Sequence, residues 1–119
     1  MTPDERFAKK ERLIKTSDFG KVYRLGRSFK ADFIILKTLS NSLPVNRLGF
    51  SISSKSIKNS SRRNRFKRLF REAYRKNKKI MKKGFDMVLV VRKDPAKNFS
   101  YADAQKIFLK LTKEAGAIL

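Results

Sequence analysis

Residues 60–75 read "SSRRNRFKRLFREAYR", and the reading of this stretch decides the fold. At 100° per residue Phe66, Leu69, Phe70, Ala73 and Tyr74 fall along one side, continued by Ile80 and Met81. Arg68, Arg71, Arg75, Lys79 and Lys82 fall along the other. The pattern predicts a helix with one buried face, capped by Asn59, Ser60 or Ser61, running to about Lys82 and ended by Gly84. At the usual rise such a helix is roughly 30 Å long.

Working outward, "RLGFSIS" (47–53) alternates Leu48, Phe50 and Ile52 with Gly49, Ser51 and Ser53, which predicts a strand with one apolar and one small, polar face. On the other side "FDMVLVVRK" (85–93) is a nearly continuous apolar run, the pattern of a strand covered on both faces. Strand, long helix and strand make a βαβ unit. Upstream, "ADFIILKTL" (31–39) is a β-rich run joined to 47–53 by the turn-rich "NSLPVN" (41–46), so these two are expected to pair as an antiparallel hairpin. A first helix is expected at about 17–25, with Thr16 and Ser17 as candidate caps, Phe19, Val22 and Tyr23 at helical spacing and Gly26 as its stop. After a loop at 93–98, Ser100 and Asp103 form a capping-box pattern opening a last helix whose buried stripe is Ala104, Ile107, Phe108, Leu111 and Ala115. The expected order is α-β-β-α-β-α, with room for one more short strand: an α/β fold, a two-layer sandwich with a small mixed sheet.

The 119 residues fit one domain over 1–119, with about residues 1–10 as a flexible arm and no repeat or linker. Thirty-one Lys and Arg against ten Asp and Glu give a net charge of +21, a self-repulsion that a polyanionic partner relieves. The excess is concentrated, because Glu72 is the only acid between Asp32 and Asp86. With no cysteine there is neither a disulfide framework nor a thiolate metal site, which fits a reducing compartment. The N-terminus lacks the apolar core of a signal peptide and no apolar run approaches the length of a membrane span, so a cytoplasmic location is expected. With no histidine and no clustered carboxylates, catalysis by this chain alone is not expected: no catalytic and no metal-ligating residue is assigned.

Cations at i, i+3 and i+4 cost an isolated helix a few tenths of a kcal/mol per like pair, and an ordinary solvated helix interleaves Glu with Lys. Arg is preferred in the first half, at Arg62, Arg63, Arg65, Arg68, Arg71 and Arg75, and guanidinium groups bind phosphate in a planar, bidentate way. Phosphate contact explains this better than a membrane surface, which would need the apolar face that the βαβ unit consumes. Elsewhere the residues leave alternatives open. Phe19 and Tyr23, at i and i+4, suit either core packing or base stacking, and Ser51 and Ser53 either a solvent face or the floor of a groove. Asn64 can organise Arg63 and Arg65 or touch the polyanion itself.

"RRNRFKRLFREAYR" resembles the Arg-Asn-Arg helix of the bacterial ribonuclease P protein subunit, "DFGKVYRLGRS" (18–28) that family's D-F-x-x-V-[FY]-x-x-G segment, and "RLGFSISSK" (47–55) its R-[LIV]-G-[LF]-[ST]-V strand. The three motifs occur in the family's order, and the resemblance covers about residues 10–115. It implies a left-handed βαβ crossover, against the usual right-handed preference. It also implies a partner, the catalytic ribonuclease P RNA, with which the protein removes the 5′ leader of precursor tRNA; catalytic Mg²⁺ is held by that RNA and no cofactor by the protein alone. By position, Arg62, Arg63, Asn64, Arg65, Lys67, Arg68, Arg71 and Arg75 would face the catalytic RNA. Phe19, Tyr23, Ser51, Ser53, Lys55 and Lys15 would line a cleft for the leader. The family usually has two consecutive lysines after the second strand, and here Ser54 replaces the first, leaving Lys55. No membrane and no obligatory protein partner is implied. The alternative is a ribosomal or other structural RNA-binding protein without an enzymatic assembly, which would share the high pI and the architecture.

Overall fold

A computed structural model describes residues 7–95 and 98–119. After a 3₁₀ turn at Lys9–Glu11 come helix α1 (Thr16–Leu25), strands β1 (Arg27–Ala31), β2 (Ile34–Ser40) and β3 (Arg47–Ile52), helix α2 (Ser60–Asn77), strand β4 (Phe85–Val91) and helix α3 (Tyr101–Glu114). The additional short strand is therefore β1. Residues 1–6 of the expected arm, and Ala96 and Lys97 of the expected loop, lie outside the described residues. No helix among the described residues is long and apolar enough to cross a membrane.

The four strands form one mixed sheet in the order β1-β2-β4-β3. The expected hairpin between 31–39 and 47–53 is not formed. β2 instead pairs with β1, in antiparallel register from Arg27↔Thr38 to Ala31↔Ile34, around a tight turn where Asp32 takes φ 53°. Asp tolerates this left-handed conformation better than most residues. β4 lies between β2, to which it runs antiparallel, and β3, to which it runs parallel. The reason is burial: Met87, Val88 and Leu89 are fully enclosed, and an interior strand is the place where both faces of such a run are covered.

The two faces carry separate cores. Met87, Leu89 and Val91 join Ile34, Leu36, Leu48, Phe66, Phe70, Phe108 and Leu111 in the main layer between the sheet and helices α2 and α3. Val88 faces the opposite way and packs with Leu13 and Val22, flanked by Phe19, Leu39 and Val90, so α1 covers part of the back of the sheet. A phenylalanine stack fills the main layer near the start of α2, with Phe66 and Phe99 at 5.3 Å between ring centroids.

Caps form where the side chains allow. Asn59 accepts a hydrogen bond from the Arg62 N–H at 3.1 Å, and Ser100 and Asp103 make a reciprocal capping box. α2 stops earlier than expected, at Asn77, and passes through a 3₁₀ turn at Lys78–Ile80. Met81 nonetheless reaches the core by bridging to Ile118, while Ile80 stays 46% exposed. The turn into β4 is closed at Gly84, whose φ of +95° suits glycine alone.

Candidate nucleic-acid interface

Along α2 the first turn carries no acid, and each arginine is held differently. Arg63 donates through Nη1 to the carbonyls of Ile57 (2.7 Å) and Lys58 (2.9 Å), and Arg65 through Nη1 to the carbonyl of Phe99 (2.9 Å). A carbonyl orients a guanidinium without cancelling its charge, so both arginines keep a full positive charge and further N–H donors for an anion. Arg62 is instead paired with Asp94, to which its Nε donates at 3.1 Å, and Arg75 makes two 2.8 Å hydrogen bonds to Glu72. These two are locally neutralised. The Arg75 contact holds the Glu72 carboxyl below its ordinary range.

Arg71 stands over the Phe50 ring at 5.4 Å and the Phe7 ring at 5.9 Å, and Arg12 lies 5.4 Å from the Phe7 ring centre. Burial, and then the like charge of Arg12, lower the pKa of Arg71, the signature of a cation short of anionic company. Asn64 and Arg68 are exposed and Lys67 half-buried. The positions expected to face RNA thus divide into Arg63, Asn64, Arg65, Lys67, Arg68 and Arg71, which present charge or donors, and Arg62 and Arg75, whose charge is already met.

On the back of the sheet, Ser51 stands opposite Val90, which stands opposite Ile35; Gly49, Val88 and Lys37 form the next row. Phe19 lies directly over Gly49: a Cβ there would sit 2.6 Å from Phe19 Cζ. The ring is half-buried, packed against the cluster of Leu13, Val22 and Val88. Tyr23, one turn on, is 42% exposed, with the Lys37 ammonium 5.7 Å from its ring centre. Lys37 also donates to Ser28 Oγ at 3.0 Å. Phe19, Tyr23 and Ser51 are therefore brought to one face beside half-buried Ile35 and Val90. Lys15 precedes α1, its carbonyl accepting the N–H groups of Asp18 and Phe19. Ser53 and Lys55 belong to the turn after β3, where Ser53 Oγ accepts the Ser56 N–H at 3.1 Å.

Two contributors escape the sequence pattern. Lys37 is hidden inside a run that reads as apolar, although its alternation with Leu36 and Thr38 places it on the opposite face. Arg47 reads only as part of a motif, yet it clamps α1 to the sheet. Its Nε and Nη2 donate to both oxygens of the buried Asp86 (2.7 and 2.6 Å), its Nη1 to Asp18 Oδ2 of α1 (3.3 Å), and Asn41 donates to Asp86 as well (2.9 Å). The Asp86 contact raises the Arg47 pKa further.

Among the described residues no three Asp or Glu stand close enough to hold a metal ion. Asp18, Asp86, Asp94, Glu11 and Glu72 each face a cation. Those five carboxylates are thereby engaged by cations.

A strongly cationic helix face next to an aromatic-bearing sheet face, on a small α/β sandwich, is the arrangement of a nucleic-acid-binding protein. The family model described as Ribonuclease P matches residues 7–116. The ribonuclease P protein component of Natranaerobius thermophilus is 43% identical over 103 residues, covering 87% of this chain and 88% of the relative. That of Thermotoga maritima is 35% identical over 107 residues, covering 90% and 91%. Among solved structures, the Staphylococcus aureus RNase P protein superposes with a TM-score of 0.80 at 28% identity, over 92% of this chain and 98% of that one. The Thermotoga maritima RNase P protein gives 0.78 at 31% identity, over 87% and 96%. The chain belongs to the ribonuclease P protein family and is a protein component of that ribonucleoprotein endonuclease, in which the RNA carries the chemistry. A ribosomal or purely structural role is not favoured by these likenesses.

Proposed function

We propose that α2 docks on ribonuclease P RNA through Arg63, Asn64, Arg65, Lys67, Arg68 and Arg71, and that the sheet face under α1 receives the 5′ leader of precursor tRNA. The observation that carries the reading is the arrangement of Arg63 and Arg65, whose guanidinium groups are fixed by backbone carbonyls while their charge is left for a phosphate. The carbonyl anchors reduce the side-chain entropy that binding would otherwise remove. Arg62, already paired with Asp94, contributes mainly by holding α2 to the chain after β4, and Arg75, paired with Glu72 one turn away in α2, by supporting the helix itself.

In the leader site the half-exposed Phe19 and Tyr23 offer faces for bases, a contact worth about 1–3 kcal/mol per base and indifferent to sequence. Ser51 leaves room for the strand, and Lys15, Lys37 and Lys55 attract its phosphates. On this reading the Mg²⁺ ions that activate water belong to the RNA: among the described residues Glu11, Asp18, Glu72, Asp86 and Asp94 are paired with arginines or lysines, and no three acids stand together. What the protein contributes is neutralisation of phosphate repulsion and alignment of the substrate.

Reconstitution with a ribonuclease P RNA at low Mg²⁺ tests the reading: the protein should restore cleavage of precursor tRNA. Arg65→Ala with Arg68→Ala should weaken assembly with the RNA. Phe19→Ala, in a folded chain, should weaken leader-bearing substrate more than mature tRNA. An equal loss for both ligands would refute the leader site.

A further inference from the structure

The far end of α2 carries a second concentration of charge. A cavity of about 520 Å³ opens there, walled by Lys10, Lys78, Lys79, Lys82 and Lys83, with Glu11 as the only acidic side chain among the described residues that line it. Glu11 is buried, and its carboxylate is met by the Tyr74 hydroxyl and by Lys78 Nζ at 2.7 Å. Of the other lysines, Lys10, Lys82 and Lys83 are exposed and face a space in which no second acidic side chain of the described residues stands.

The backbone beneath them is fastened on three sides. Asn46 donates to the Lys82 carbonyl (2.7 Å) and accepts the Phe85 N–H (2.8 Å), the Lys82 N–H reaches Ala117 O (2.8 Å), and the Leu119 N–H reaches Ile80 O (2.8 Å). A helix C-terminus favours cations for its dipole, but that effect fades beyond the last turn. Lys82 and Lys83 lie past it, and Lys10 comes from another part of the chain.

From this geometry we infer that the lysine-walled cavity is a second contact for the phosphate backbone of the catalytic RNA, distinct from the arginine face and blind to sequence. The inference rests on the reading of α2 as an RNA-docking helix. Lysine is a flexible point charge that suits phosphate without demanding planar geometry. The one ring lining the cavity, Tyr74, is 2% exposed and packed edge-on to Phe7 and Phe108, so no face is free to stack a base. Arg63 and Lys78 are fifteen residues apart, about 22 Å along a helix. That corresponds to roughly six phosphate spacings along one strand of a duplex, so the two contacts fall on well-separated parts of a folded RNA.

The test uses the full chain and ribonuclease P RNA. Lys10→Ala, Lys82→Ala and Lys83→Ala combined should weaken assembly and make the plot of log affinity against log salt shallower by about 0.7–0.9 for each phosphate no longer neutralised. The thermal midpoint of the free protein should not fall, because the backbone bonds remain. An unchanged slope alongside a weakened Arg65→Ala, Arg68→Ala variant overturns the lysine contact and leaves the docking role of α2 standing; unchanged slopes for both overturn the two together. Because the chain has no cysteine, Lys83→Cys gives a unique tether for an iron chelate that cuts nearby RNA. Cuts in the catalytic RNA away from those made through Arg68→Cys support the inference. No cuts, cuts at the same nucleotides, or cuts confined to precursor tRNA overturn it.

Discussion

Gly49 has its value in what it lacks, because the tip of the Phe19 ring occupies the place of its side chain. The nearest atom is the far end of the Phe19 side chain, with Leu13 Cβ next at 3.1 Å, so Gly49→Ala should displace Phe19 rather than break the sheet. We expect a stability loss of about 1–2 kcal/mol in denaturant unfolding, within the range for overpacking. Leader-bearing substrate should lose its advantage over mature tRNA in a binding assay, while RNA assembly holds. Tyr74 makes a different point. Burial, and then the hydrogen bond to Glu11, push its hydroxyl far above the ordinary tyrosine range. The unfolded chain releases this proton near pH 10 while the folded chain keeps it, so above about pH 10 folding loses up to 1.36 kcal/mol per pH unit from this group. Urea titrations at pH 9 and 11 should show this loss, and a smaller one in Tyr74→Phe.

Among the elements, much of the fold was legible. The helix over 60–77, the apolar strand over 85–91 and the capping box at Ser100 each follow from a local pattern that packing did not override. Ser100→Ala should cost about 1 kcal/mol in thermal or denaturant unfolding, the usual value of an N-cap. The order of strands was not legible. Short apolar runs show which segments are extended, yet which neighbours they take depends on how many faces each must bury, and β4 outcompetes β3 for the place beside β2. The site was half legible for a similar reason: the arginines announce themselves by number, but whether a guanidinium meets a carboxylate, as in Arg62, or a carbonyl, as in Arg65, is decided by residues 32 and 34 positions away. Arg47 belongs with these long-range contacts. Arg47→Ala leaves the buried Asp86 carboxylate with Asn41 as its remaining side-chain donor and should cost about 3 kcal/mol, the lower end for a broken buried pair because Arg47 is 23% exposed. Denaturation of Arg47→Ala and Arg47→Lys checks it, with the lysine variant recovering part of the loss.

For the molecule as a whole, a net charge of +21 on 119 residues sets folding and binding against each other in their response to salt. Screening should relieve self-repulsion in the free protein and weaken attraction to the RNA. Thermal melts of the isolated chain from about 10 mM to about 0.5 M salt should rise in midpoint, while affinity for ribonuclease P RNA falls by decades over a narrower range. A flat melting curve against salt would mean the charges are already balanced internally.

The sheet has two rims, and neither is left bare. The outer side of β3 is met by the chain ahead of α1, where Arg12 bridges to Leu48 and the Leu13 N–H reaches the Leu48 carbonyl at 3.0 Å. β1, at the opposite rim, is only five residues long and carries Arg27 and Lys30. Open strand borders are where identical molecules zip together, and short, cationic or occupied ones resist it. A freshly made copy waiting for its transcript is thereby shielded from fibril-like self-association, at a stage when no bound nucleic acid yet keeps such copies apart.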